Sequence, residues 1–206
     1  QEIEAARDLI LGGIDLLEKD DGTSPDASTT TTPTANYVGP TNAISMQESS
    51  NNPNALWKNS ETDTFKNQPP VTEQTLAEVL QFVEQDGEYA NWSKTQDNPA
   101  TGSSGGVHTP VGKYQFVGRT LRDIKDRTGD FKELGITDDT VFSEEVQDKL
   151  FAWYIKDTIR AAKADTPPVD PKVKIRGRFE GIKETDDMSD AELDTLMQQV
   201  QDGTYG

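Results

Sequence analysis

The sequence has no cysteine and a single histidine. The first absence excludes disulfides and thiolate zinc sites. The second excludes a multi-histidine metal centre within one chain. No run of about 18 apolar residues occurs, so no membrane-spanning helix is expected. Apolar material is scarce: 32% of the 206 residues are hydrophobic. That is too little for the whole length to be packed core, so arms or linkers are expected beside one ordinary domain. Neither an initiating Met nor a signal-peptide pattern opens the chain. Starting at Gln1, it reads as a fragment or a processed product. No cofactor and no metal are expected.

Acid is what the chain has in excess, with a net charge of -17. The excess is not spread evenly. Residues 75–183 carry 18 acids and 16 bases, whereas residues 1–74 carry 12 and 4, and residues 184–206 carry 7 and none. The middle is near balance and the flanks hold most of the charge. Binding of nucleic acid through a basic surface is excluded by this balance. The acidic flanks have two readings, solubility or a docking or salt-adapted surface.

The flanks and the middle also differ in pattern. Residues 2–18 predict a helix, with Ile3, Ala6, Ile10, Ile14 and Leu17 at three- and four-residue steps. Leu9, Leu11 and Leu16 add apolar surface on other sides, so this helix needs a partner, in its own domain or on another chain. Residues 20–74, with Thr29–Thr34 and Asn51–Asn54, predict an extended Ser/Thr/Asn/Pro-rich linker, in which Trp57 and Phe65 are anchor candidates. At Thr75 the character changes. Thr75 and Glu78 fit a capping box that opens a helix ending near Gly87. Residues 91–112 read as loop or a short hairpin. Helices are expected over Arg119–Arg127 and from the N-cap Ser143. The run Lys172, Lys174, Arg176, Arg178 alternates like one face of a strand, either a solvated face or one that meets the acidic groups of peptidoglycan. Ser189 and Glu192 form a second capping box, opening an acidic C-terminal helix with Leu193, Leu196, Met197 and Val200 on one face.

Two segments carry chemistry. Glu84 falls at the end of the 75–85 helix, beside its apolar stripe. Partial burial and the negative end of the helix dipole would both keep its carboxyl protonated, as a general acid for glycosidic cleavage requires. On position alone it is equally one acid among many. Residues 109–116, Thr-Pro-Val-Gly-Lys-Tyr-Gln-Phe, offer aromatic faces for sugar rings and an amide that both donates and accepts. His108 is a substrate contact, a general base, or incidental.

Four stretches in order, Glu84 to Trp92, Thr109 to Leu121, Phe142-Ser143 to Gln147-Asp148, and Arg176 to Gly181, resemble phage lysozyme-like proteins. The nearest in character are lambda-type endolysins and the muramidase domains carried by phage virions. The resemblance covers residues 75–183. It departs at Pro110-Val111, where small residues are common, and at Phe179, where Trp is common. It implies an α+β, mainly α, lysozyme-like domain over 75–183, flanked by a docking helix (1–19), the linker (20–74) and an acidic tail (184–206). It implies Glu84 as catalytic acid, with Tyr89, Thr109, Tyr114 and Gln115 on the glycan groove. Gln147 and Asp148 would hold the third helix against the active-site loop.

The expected activity is cleavage of the peptidoglycan backbone. A hydrolase needs a second carboxylate, for which Asp86, Glu88 and Asp97 are candidates. A lytic transglycosylase needs only Glu84. The flanks suggest a virion tail enzyme acting in the host periplasm or cell wall, docked to other virion chains through residues 1–74 and 184–206. A structural tail module with a lysozyme-like fold and no activity is the alternative, and a carbohydrate-binding module is a third.

Overall fold

The computed structural model describes residues 40–96, 107–183 and 187–204. The chain divides into two units, Gln1–Asn36 and Tyr37–Gly206. All that follows concerns the second. The expected docking helix over 1–19 and the first part of the linker lie outside the described residues.

The architecture is mainly α. In chain order the helices are α1 (Pro40–Ser49), α2 (Ser60–Asp63), α3 (Leu76–Phe82), α4 (Glu88–Lys94), α5 (Gly118–Arg127), α6 (Glu144–Ala164), α7 (Pro171–Arg176) and α8 (Asp190–Asp202). Short 3-10 turns lie at Trp57–Asn59, Val71–Glu73, Lys132–Leu134 and Glu180–Ile182. Among the described residues the β component is three isolated bridges, Leu56 to Val111, Thr75 to Val141 and Val111 to Phe116.

Helix α6 is the centre. Ser143 caps it, accepting from the Val146 N–H, and Glu144 and Glu145 stand in its first turn where the helix dipole favours carboxylates. Its buried side chains run from Val146 to Ala162 and fall on nearly every side of the helix. Such a helix must be surrounded, and α7 and α8 pack against it. On it, Asp157 is buried and paired with Arg127 of α5 and Arg160. A buried carboxylate needs such partners, because an uncompensated charge in the interior is costly.

Both capping boxes form. Thr75 accepts from the Glu78 N–H, and the Glu78 carboxylate accepts in return from the Thr75 N–H. Ser189 and Glu192 do the same at the start of α8. Hydrogen bonds to the ionised form hold Glu78 and Glu192 below the usual carboxylate range, through the Thr75 backbone and the Ser189 hydroxyl first.

Residues 40–74 correct the linker reading. Ile44, Leu56, Phe65 and Val71 are buried in the same core as α3, α6 and α8. Phe65 makes edge contacts with Phe82, Tyr89 and Trp92. Polar composition hid this segment because its apolar residues are few and aperiodic, yet each is large and fully engaged. The domain therefore extends N-terminally past residue 75. It also includes α8, whose Leu193, Leu196 and Val200 are buried against α6 and α1. The acidic C-terminal segment is a layer of the core and not a detached tail.

Two further expectations are revised. Residues 88–94 form α4, with Tyr89 and Ala90 buried, where loop was expected from residue 91. The basic run 172–178 lies mostly on a helix, not a strand. Asp170 caps the Lys172 N–H and Pro171 occupies the first helical turn, where its missing donor costs nothing. Lys172, Lys174 and Arg176 then pair with Asp194, Asp165 and Asp190.

If the 40–74 segment is integral core, Phe65→Ala will destabilise the whole unit by about 3–5 kcal/mol, the usual cost of truncating a buried phenylalanine. Equilibrium denaturation in urea measures this. A loss below 1 kcal/mol would restore the linker reading.

Candidate functional site

Glu84 follows Val83, the C-cap of α3. A turn comes next, in which Gly87 N–H donates to the Glu84 carbonyl at 3.1 Å, and Gly87 then caps α4. The Glu84 side chain is exposed. This corrects the expectation of partial burial: the apolar stripe of α3 is covered by core, and the chain has left it by residue 84.

Val83 is gripped from two sides. Thr109 Oγ1 donates to the Val83 carbonyl at 3.1 Å. Gly118, at the start of α5, lies so close that a Cβ there would stand 2.7 Å from the same carbonyl oxygen. The turn bearing Glu84 is thus bound to the residues on either side of the 110–117 segment.

That segment is a tight antiparallel turn. Val111 and Phe116 exchange both backbone hydrogen bonds at 2.9 Å. Gly112 has φ +76°, and a Cβ would lie 2.4 Å from Gln147 Oε1. Helix α6 seizes the turn at this point. Gln147 Oε1 accepts from the Lys113 N–H at 2.7 Å, and its Nε2 donates to the Pro53 and Phe142 carbonyls. Asp148 accepts from the Tyr114 hydroxyl at 2.6 Å and from Lys113 Nζ at 2.8 Å. Glu144 takes a second ammonium bond at 2.9 Å. Gln147 and Asp148 therefore fasten α6 to the turn.

These bonds revise three of the expected sugar contacts. Tyr114 is 2% exposed and stacks on Phe151 with ring centroids 4.0 Å apart. Tyr89 is fully buried, accepting from the Trp57 N–H and donating to the Pro110 carbonyl, both at 2.7 Å. Thr109 is buried by its bond to Val83. None of the three can touch a sugar. They are struts, selected for core because each polar group finds a partner inside. Burial, followed by the negative charge of Asp148 and the hydrogen bond to it, pushes the Tyr114 phenol far up, and burial does the same to Tyr89. Lys113 is raised as well, since its bonds to Asp148 and Glu144 outweigh a desolvation that acts the other way.

Gln115 remains at the surface, half-buried, with φ 49°. It lines a cavity of about 250 Å³ with His108, Pro110, Val117, Glu48 and Arg178. A second hollow, about 360 Å³, runs between Gln68-Pro69 and α3 and includes Phe82, Gly87 and Glu88. Glu84 lines neither hollow. Phe82 and Gly87 border one hollow. The residues that grip Val83, Thr109 and Gly118, are neighbours of His108, Pro110 and Val117, which border the other. Of the second-carboxylate candidates, Asp86 and Glu88 are exposed, and Asp97 lies outside the described residues.

His108 meets Trp57 edge-on at 5.2 Å, and Trp57 meets Trp92 at 5.8 Å, so three half-buried rings adjoin the cavity wall. Sequence reasoning missed Glu48 as a lining residue, took Arg178 only as a member of the basic run, and took Trp57 only as a linker anchor. No periodic signal marks them, because they arrive from separate segments. Among the described residues no group of acids and His is placed to hold a metal ion. No helix of the described residues is long and apolar enough to cross a membrane. No family model, curated protein or solved structure matches the chain.

Stability should fall as pH rises past 10, the ordinary tyrosine value. A phenol raised by folding favours the folded state fully below that pH and loses its contribution as pH climbs towards the folded value. Tyr114→Phe is expected to lose stability at neutral pH and to show a shallower decline between pH 9 and 11. Urea melts across that range test it, and parallel declines would remove Tyr114 from the account.

Proposed function

We propose that this chain cleaves the glycan backbone of bacterial peptidoglycan as a lysozyme-like enzyme, with Glu84 as the catalytic acid. The observation that carries the reading is the exposed position of Glu84 on the turn between α3 and α4, next to Phe82 and Gly87 of one surface hollow and gripped at Val83 by Thr109 and Gly118. A polymer lying in that hollow would run beside the turn that carries the carboxyl. The four sequence stretches that resemble phage lysozyme-like proteins support the same reading.

Transglycosylation is preferred over hydrolysis, because it asks for no second carboxylate. Glu84 gives its proton to the glycosidic oxygen as the bond to the anomeric carbon breaks. The 6-hydroxyl of the same sugar then attacks that carbon, and the Glu84 carboxylate takes the hydroxyl proton, which restores the acid. The product is a 1,6-anhydro sugar, and no water is consumed. The proposed setting is a phage tail acting at the host wall, with docking to other virion chains through the N-terminal region.

The exposure of Glu84 favours a second reading, a structural module that keeps the fold without the chemistry. The burial of Tyr89, Tyr114 and Thr109 points the same way, since three expected sugar contacts serve the core.

Wild type and Glu84→Gln incubated with purified peptidoglycan, with released fragments analysed by mass spectrometry, separate these readings. Anhydro-muropeptides from wild type, reduced by at least about a hundredfold in the variant, are expected. Reducing ends from wild type alone would mean hydrolysis and direct attention to Asp86 and Glu88. No release by wild type would leave the structural module.

A further inference from the structure

A further hollow, of about 270 Å³, is built by residues from the 54–74 segment together with Phe82. Neither Glu84 nor the 109–116 segment contributes to it. Its walls are apolar: Leu56, Phe65 and Val71 are buried side chains that border it, and Phe82 is half-buried beside them. Its volume falls just below the range of roughly 300–1,000 Å³ usual for drug-sized ligands, so it suits a smaller molecule.

Gln74 is the buried polar residue of this wall. It is 9% exposed, and its Nε2 donates to the Pro69 carbonyl at 2.7 Å. That bond fixes the carboxamide and leaves Oε1 as an acceptor with no partner among the described residues. The atom is not sealed in the interior. It therefore opens to the space that Gln74 borders, which is this hollow and the 360 Å³ one. An acceptor so placed, on a side chain otherwise withdrawn from water, gains by meeting a donor.

Three other polar heads border the hollow. Glu61, carried by α2, is half-buried; one carboxylate oxygen accepts from the Leu56 N–H at 3.0 Å, and no cation among the described residues pairs with it. Asn54 Oδ1 accepts from both the Thr72 N–H and the Thr72 hydroxyl, which leaves Nδ2 as a donor with no partner among the described residues. Lys66 is exposed and reaches no carboxylate among them. Glu61 and Lys66 thus border one hollow without forming an ion pair. Two acceptors, one of them charged, and two donors, one of them charged, surround an apolar wall. A partly desolvated carboxylate without a counter-charge is costly, and a ligand that carries both signs offsets that cost while leaving the hollow neutral.

We propose that this hollow binds a free apolar α-amino acid as its zwitterion. The ammonium group meets Gln74 Oε1 and the Glu61 carboxylate. The ligand carboxylate meets Lys66 and Asn54 Nδ2, and the side chain lies against Leu56, Phe65, Val71 and Phe82. The site does not depend on the Glu84 reading and stands or falls apart from it.

Calorimetry on the full chain tests this with four probes: L-leucine, glycine, L-leucinamide, which lacks the carboxylate, and N-acetyl-L-leucine, which lacks the ammonium. Saturable binding of leucine is expected. Leucinamide and N-acetyl-leucine should each bind at least about tenfold more weakly, the effect of losing a charge-assisted hydrogen bond. Glycine should also bind at least about tenfold more weakly, because it buries nothing against the apolar wall. Glu61→Gln keeps an oxygen for the Leu56 N–H and should weaken leucine binding about tenfold. No saturation with leucine at millimolar concentration would overturn the proposal. Leucinamide or N-acetyl-leucine binding as tightly as leucine would overturn the zwitterion, since only one end would then be recognised. Leucine binding to a folded Glu61→Gln as tightly as to wild type would remove the ligand from this hollow. If Glu61→Gln does not fold, Lys66→Met, altered only at an exposed head, takes its place with the same expected loss and the same overturning result.

Discussion

A glycine at position 112 leaves room for the Gln147 carboxamide, and the geometry of the site depends on that contact. With the carboxamide in place, α6 holds the backbone of the 111–116 turn at Lys113, while the same side chain reaches the Pro53 and Phe142 carbonyls. One buried amide thus joins the central helix, the N-terminal segment and the turn. Lys113 and Tyr114 add the Asp148 bonds one helical step away. Because these polar groups are buried and satisfied, each makes the others more costly to lose. The turn is rigid from below, and its outer residue, Gln115, is presented at a strained φ.

The segment 40–74 is the second support. Ala55 accepts from the Gly112 N–H, Trp57 N–H donates to Tyr89, and Ser49 Oγ donates to the Lys113 carbonyl at 2.7 Å. The turn is therefore held between α6 and chain that composition alone would leave out of the domain. The same segment lines the surface hollow of about 190 Å³ beside Gln115.

Charge follows a comparable division. Most basic residues near the C-terminal helices are engaged with acids, which leaves the acidic excess on the outside and lets α8 close over the core.

What the sequence determined by itself is the set of local features. The capping boxes at Thr75–Glu78 and Ser189–Glu192, the Ser143 cap and the apolar faces of α3, α6 and α8 all depend on residues within one or two turns of each other. Neighbour chemistry and periodicity suffice for these. The order of Glu84, the 109–116 segment and Gln147-Asp148 was also legible, as a spacing. Only the tertiary structure decided which side chains of those motifs face water. Tyr89, Tyr114 and Thr109 are chemically fit for a sugar groove and equally fit for a satisfied interior, and partners 21 to 34 residues away, at Pro110, Asp148 and Val83, drew them inward. The same holds for residues 40–74, whose scattered large apolar groups carry no period and acquire meaning only when α3, α4 and α6 supply the surface they fill.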